Sequence, residues 1–186
     1  MIGRWRIEGH AIVSDDDRIA DASGATPDSL RNAADWARFQ AALDAAAVTV
    51  LGRLGHAANP NKKGRNRLVL SSGARGIEKR ADGWWWNPED VSLADALVQA
   101  APGGGIVAVP GGRRVMDLFL AEGFDAFHLS RKRGVTLPGG VPLFSAIADG
   151  ATAEGLLADA GLMPGPAETL DPGAGVTLTV WRRPAT

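Results

Sequence analysis

The chain has 186 residues, no cysteine, and 20 Lys+Arg against 21 Asp+Glu, for a formal net charge of −1. That length fits a single domain over residues 1–186. The lack of Cys excludes disulfides, thiolate metal sites and a Cys nucleophile, and the balanced charge argues against a nucleic-acid binder, which is usually basic. The longest apolar runs, such as residues 106–110, fall far short of the roughly 20 residues that span a bilayer. The opening Met1-Ile2-Gly3-Arg4-Trp5-Arg6 has no apolar signal core, so a cytoplasmic protein with no membrane partner is expected.

Residues 7–13 predict a first strand, ended by Ser14-Asp15-Asp16-Asp17. No glycine follows these aspartates at the calcium-loop spacing, so they read as a solvated turn. Residues 20–26 read as loop. Ser29 is placed to N-cap a helix reaching to about Ala46, with Leu30, Ala34, Ala37 and Ala41 on its apolar face and Trp36, Phe39 and Leu43 widening it. Val48-Thr49-Val50-Leu51 predicts a short buried strand stopping at Gly52. Asn59-Pro60-Asn61-Lys62-Lys63-Gly64 is a polar loop, and Leu68-Val69-Leu70 is a second buried strand closed by Ser71-Ser72-Gly73. Trp84-Trp85-Trp86 predicts a strand with Trp84 and Trp86 on one face and Trp85 on the other.

Residues 92–100 are helical in pattern. Ile106-Val107-Ala108-Val109 predicts a strand running into Pro110-Gly111-Gly112, followed by a helix over 113–122 and a strand over 124–129. The tail predicts a helix over 153–160, a loop over 164–172 and a last strand over 176–181, whose alternation suits an antiparallel edge. Continuous apolar strands alternating with helices predict a three-layer α/β fold: a mostly parallel central sheet flanked by helices, with an antiparallel C-terminal edge.

Two strand ends carry glycine. Gly111 and Gly112 precede a helix start at Arg113, where free N–H groups and the helix dipole favour phosphate. An ordinary glycine turn would read the same way. Arg53, just after the strand at 48–51, lies where open α/β sheets bind ligands, and Arg grips phosphate as a fork. Ser71 and Ser72 end another strand and add hydroxyls. Together these three strand ends suggest a phosphorylated dinucleotide. Asp35 shares a helical stripe with Phe39 and Leu43. A carboxylate in an apolar pocket has a raised pKa and suits a protonatable heterocycle. The competing reading is a boundary residue paired with Arg31 or Arg38. Asp28 reads as a charge favourable to the helix dipole. The three histidines, His10, His56 and His128, are widely spaced, so no metal site is expected, and no partner for His56 or His128 is legible.

The order of these motifs resembles the dihydrofolate reductase family and its relatives with a riboflavin-type pyrimidine reductase domain, over residues 7–144. Ala11-Ile12-Val13 with Asp17-Arg18-Ile19 resembles the family's first strand and following loop, and Ala25-Thr26-Pro27 its mobile loop. Asp35-Trp36-Ala37-Arg38-Phe39 resembles the helix whose carboxylate binds the pterin and whose Phe packs on it. The resemblance implies hydride transfer from NADPH to a pterin or pyrimidine. Asp35 would be the catalytic carboxylate, accepting hydrogen bonds from the pterin and favouring its protonated form, and Ala11, Ile12, Phe39, Arg65 and Ser130 would bind substrate. Arg65, from Gly64-Arg65, would hold the glutamate carboxylate of folate, and Ser130 would contact the pterin through water. It implies a cofactor site of Gly52, Arg53, Leu54, Gly55, Ser71, Ser72, Gly111, Gly112, Arg113, Arg114 and Val115. The chain departs from the pattern at Asp28 (a family Trp), Gly55 (a Thr), Arg113 (the third glycine) and Met116 (a Tyr). Leu137-Pro138-Gly139-Gly140-Val141-Pro142-Leu143-Phe144 looks more like the pyrimidine reductase branch. Three readings therefore stay open: dihydrofolate reduction, NADPH-dependent reduction of another pterin or a ribosylaminopyrimidinone, and a non-catalytic nucleotide-binding relative.

Overall fold

Apolar strands such as Val48-Thr49-Val50-Leu51 must be covered on both faces, and this requirement sets the architecture. A computed structural model describes residues 2–184. In chain order the elements are β1 (Trp5–Val13), β2 (Arg18–Ala20), α1 (Ala33–Ala45), β3 (Val48–Gly52), α2 (Arg53–Ala58), β4 (Arg67–Leu70), β5 (Ile77–Arg80), β6 (Gly83–Trp86), α3 (Leu93–Ala100), β7 (Gly105–Gly111), α4 (Arg113–Glu122), β8 (Ala126–Lys132), β9 (Val141–Pro142), a 3₁₀ turn (Ser145–Asp149), α5 (Ala153–Asp159), β10 (Met163–Asp171) and β11 (Val176–Arg182). The main sheet runs β10-β11-β8-β1-β7-β3-β4-β6-β5, and β2 pairs with β9 separately. Neighbours from β8 through to β6 are parallel, while β11, β10 and β5 pair antiparallel. The predicted mostly parallel, three-layer α/β arrangement is what forms.

Strand alternation divides β1 between the two helical layers. Ile7 and Val13 join Val107, Val109, Met116, Phe119, Phe127 and Leu97 in the apolar core. Gly9 lies on that face because no larger residue fits there: a Cβ would come within 2.2 Å of the Phe127 ring. Glu8, His10 and Ile12 point the other way, toward α1, where the His10 ring meets Phe39 at 6.1 Å. The layer beneath α1 is therefore polar, and it is this layer that holds the candidate site.

Several elements differ from the sequence reading. Helix α1 starts at Ala33, capped by Asn32, whose side chain accepts the Asp35 N–H, so Ser29 is not the cap. The Asn32 amide also donates to Asp171 at 2.8 Å, a tie across 139 residues that no local pattern carries. Leu30 is buried ahead of the helix, and Ala34, Ala37 and Ala41 are exposed, as is Trp36 at 59%, so of the predicted apolar face only Phe39 and Leu43 are covered, together with Asp35. The expected loop at 164–172 is strand β10, and it, rather than β11, is the sheet's edge. Its prolines are compatible with an edge because they lack only a ladder donor. Strand β5 was not legible either. Its Lys79 and Arg80 sit over the Trp84 and Trp85 rings of β6, covering indoles that a short run of aromatics leaves half-buried. The aspartate turn is not solvated throughout: Asp17 is buried, with one carboxylate oxygen on Arg131 at 2.5 Å and the other on the Ala153 N–H. Among the described residues no helix is long and apolar enough to cross a membrane.

Candidate functional site

The sheet's carboxyl edge brings together residues that are distant in sequence. Parallel β7, β3 and β4 are neighbours, so Gly111–Arg114, Gly52–Arg53 and Ser71–Ser72 follow three adjacent strand ends. Gly111 has φ 103°, a conformation that favours glycine, and the Gly111–Gly112 peptide is cis. Gly112 caps α4 with no side-chain hydrogen bond, and a Cβ built on it would meet nothing within 4 Å. The Arg113 and Arg114 N–H groups bond no acceptor among the described residues, as an anion-binding helix start requires, while the Val115 N–H donates to the Gly112 carbonyl. Arg53, Arg113 and Arg114 are exposed, and among the described residues none of them pairs with a carboxylate. Val115 packs at 3.4 Å from the position of a Gly52 Cβ, which joins the two glycine turns. Leu54 is exposed and Gly55 has open space around it. Ser71 is buried with its Oγ accepting the Gly73 N–H, while Ser72 is exposed.

The second half of the site lies beside it, under α1. Asp35 is 7% exposed and Ser130, on β8, is fully buried. The Ser130 hydroxyl donates directly to Asp35 Oδ1 at 2.5 Å. Arg38, one turn along α1, stands 3.8 Å from the same oxygen. Every contact falls on Oδ1, and Oδ2 carries no hydrogen bond among the described residues. Ile12 pairs with Ser130 in register, and Ile12 and Phe39 are both half-buried, Phe39 with its ring 6.1 Å from that of His10. The Ala11 side chain packs on the apolar core of the opposite face, so only its backbone can serve this side.

The pocket around Asp35 is not the apolar one expected. The Arg38 guanidinium donates to His128 Nδ1 at 3.3 Å. Because Arg can only donate, the His128 proton sits on Nε2, which donates to Glu8 Oε2 at 3.3 Å. The His128 and His10 rings stack, with centroids 4.5 Å apart. His10 is 2% exposed and neither ring nitrogen has a hydrogen-bond partner; Arg38 Nε has none either. Burial first, then the adjoining Arg38 cation, push His10 down to about 3, so its ring is neutral at physiological pH. Burial, the largest influence on Glu8, raises its pKa, but His128 and Arg6 together outweigh it and hold that carboxyl below the usual range. Wide sequence spacing does not keep these histidines apart, because the β1–β8 register sets His10 opposite His128.

Arg65 sits elsewhere. Its Nε and one terminal nitrogen bond Asp44, and that nitrogen also reaches the Gln40 side chain at 2.8 Å, so the guanidinium braces the last turns of α1. His56 has partners that the sequence did not disclose, Asp82 at 2.9 Å and Arg67 at 3.1 Å. Asp28 is exposed and pairs with Arg31.

No family model and no curated protein matches the sequence. Solved structures do match the fold. Dihydrofolate reductase from Enterococcus faecalis, complexed with NADP(H) and RAB-propyl, superposes with a TM-score of 0.65 at 14% identity, over 98% of both chains. A protein named for riboflavin biosynthesis from Shewanella sp. PV-4 gives 0.64 at 19% identity, over 97% of this chain and 99% of that one. The diaminohydroxyphosphoribosylaminopyrimidine deaminase/5-amino-6-(5-phosphoribosylamino)uracil reductase of Thermotoga maritima gives 0.61 at 15% identity, with this chain covering 57% of its length. A mostly parallel sheet, an antiparallel C-terminal hairpin and end-to-end superposition at these scores identify the chain's architecture as the dihydrofolate reductase-like fold.

Proposed function

We propose that the chain is an NADPH-dependent reductase of a small nitrogen heterocycle, with dihydrofolate the first substrate to test. The observation that carries this reading is the free Oδ2 of buried Asp35, beside a strand edge that holds uncommitted arginines and an uncapped helix start. The cofactor site fits the group it would hold. The turn Gly111-Gly112 with Arg113, Arg114 and Val115 would cradle the pyrophosphate. Gly52, Arg53, Leu54 and Gly55, with Ser71 and Ser72, would meet the adenosine end, Arg53 gripping the 2′-phosphate as a fork. NADPH, when bound, supplies the hydride.

The chain's own residues position and polarise the substrate. Ser130 fixes Oδ1, which leaves Oδ2 to accept a ring N–H or exocyclic amine and to favour the protonated heterocycle. Ile12 and Phe39 pack on the ring and exclude water, which strengthens that interaction. Ser130 thus acts through Asp35 directly rather than through water. The test is loss of reduced-nicotinamide absorbance with NADPH and dihydrofolate. Asp35→Asn is expected to lower kcat about a hundredfold or more while NADPH still raises the melting temperature as in wild type. Equal turnover in the variant would remove Asp35 from the reaction.

One observation favours a second reading. Arg65, which would hold a glutamate tail, is bonded to Asp44 and Gln40. A pterin or ribosylaminopyrimidinone without that tail has no need of it. Turnover of such a substrate, unchanged by Arg65→Ala and absent with dihydrofolate, would establish this alternative.

A further inference from the structure

The Glu8, His10 and His128 side chains form a constellation that the reductase reading does not use. Each offers a ligand atom, and these atoms lie within 4.8 Å of one another. His10 is the anomaly. It is 2% exposed, yet both ring nitrogens lack partners, and a buried neutral imidazole without bonds leaves one donor and one acceptor unsatisfied. Core packing gives no reason for a histidine there, since a Leu would fill a buried strand position without that penalty.

We propose that Glu8, His10 and His128 bind one divalent transition-metal ion of the zinc class, pinning β1 to β8 beneath α1. Two imidazoles and a carboxylate are a recognised three-ligand set, with a fourth position for water. The ligands come from two directly paired strands, which keeps their backbones fixed; the ligand atoms, within 4.8 Å of one another, close on the ion by rotation of the two stacked rings out of their parallel arrangement. Around the ligands stand the cations Arg6 and Arg38 and the anion Asp35, so Glu8 supplies the negative charge nearest the ion. Binding through His128 Nε2 moves that ring's proton to Nδ1. Arg38 must then leave Nδ1, and it retains Asp35 as its partner. Metal loading is therefore coupled to the geometry around Asp35.

The experiment uses the full chain, stripped with a chelator and titrated with Co(II) and then Zn(II). One equivalent of Co(II) is expected to give visible d–d bands that Zn(II) abolishes, with a rise in melting temperature on loading. His10→Gln and His128→Gln should each weaken binding at least about a hundredfold, more than the 10–100-fold typical of groups that only support a ligand. His56→Gln, outside the constellation, should bind as wild type. If a histidine variant fails to fold, Glu8→Gln and the 15N ring shifts of wild-type His128 on titration carry the same decision. No stoichiometric Co(II) binding by wild type would overturn the proposal, as would binding that survives in His10→Gln and His128→Gln or His128 shifts that ignore metal.

Discussion

Replacing Ser130 by Ala tests the pairing on which the site rests without requiring any substrate. Ser130 is fully buried, Asp35 is 7% exposed, and the hydroxyl lies 2.5 Å from Oδ1. Arg38 is too distant, at 3.8 Å, to replace it as a hydrogen-bond donor. A hydrogen bond to a charged group contributes about 1.5–3 kcal/mol, so Ser130→Ala should lose about that much stability in urea denaturation. For a chain of this size each kcal/mol moves Tm by roughly 2–4 °C, which gives a fall of about 3–12 °C. In an Asp35→Asn background the acceptor is neutral, and the same change should cost only about 1 kcal/mol. The double-mutant cycle then shows a coupling of about 0.5–2 kcal/mol. A Ser130→Ala variant within 0.5 kcal/mol of wild type (roughly the scatter of such measurements), or equal losses in both backgrounds, would refute the pairing.

Arg53→Ala should narrow the preference for NADPH over NADH in binding assays, because it deletes the fork for the 2′-phosphate. An unchanged ratio excludes Arg53 from the cofactor site. Arg131→Met should destabilise the fold by about 3–5 kcal/mol, since it strands buried Asp17 and frees Glu154 of α5; urea midpoints close to wild type would show that Asp17 is satisfied without it. The Lys63 ammonium, and next the Arg65 guanidinium, hold the Asp44 carboxyl below its usual range. That contribution is present above the unfolded carboxyl pKa and is lost as pH falls through the lower folded value. The stability gap between wild type and Asp44→Asn should therefore shrink on acidification below about pH 4, and a gap independent of pH would contradict the tie.

The middle of the sheet was legible because strands such as β3 and β7 are short and apolar on both faces, so each one stands out from the helices between them. Val48–Gly52, Arg67–Leu70 and Gly105–Gly111 appear where the runs predict them, α4 keeps its predicted start, and α3 begins at Leu93 with Ser92 as its cap. Strand β10 was not legible: prolines and exposed residues dominate it, and only its pairing with β11 makes it a strand. The cap of α1 was misplaced for a related reason. Asn32 is held by Asp171 as well as by its own helix, a choice made between segments that no local window contains.

The candidate site divides along the same line. The strand ends proposed to hold the cofactor were visible because glycine turns and an Arg after a buried strand are local signals. The site's polar floor was not, because Glu8, His10, Arg38, His128 and Ser130 each look ordinary in sequence. The amino-acid order by itself determined the parallel α/β layering, the glycine turns at Gly52 and Gly111, and the placement of Asp35 on a helix that covers the sheet. Only the tertiary structure decided that Ser130 would clamp Asp35, that Arg65 would be committed to Asp44, and that two histidines separated by 118 positions would stack. Local residue preferences set which elements form. Strand register, set by the whole sheet at once, sets which side chains meet.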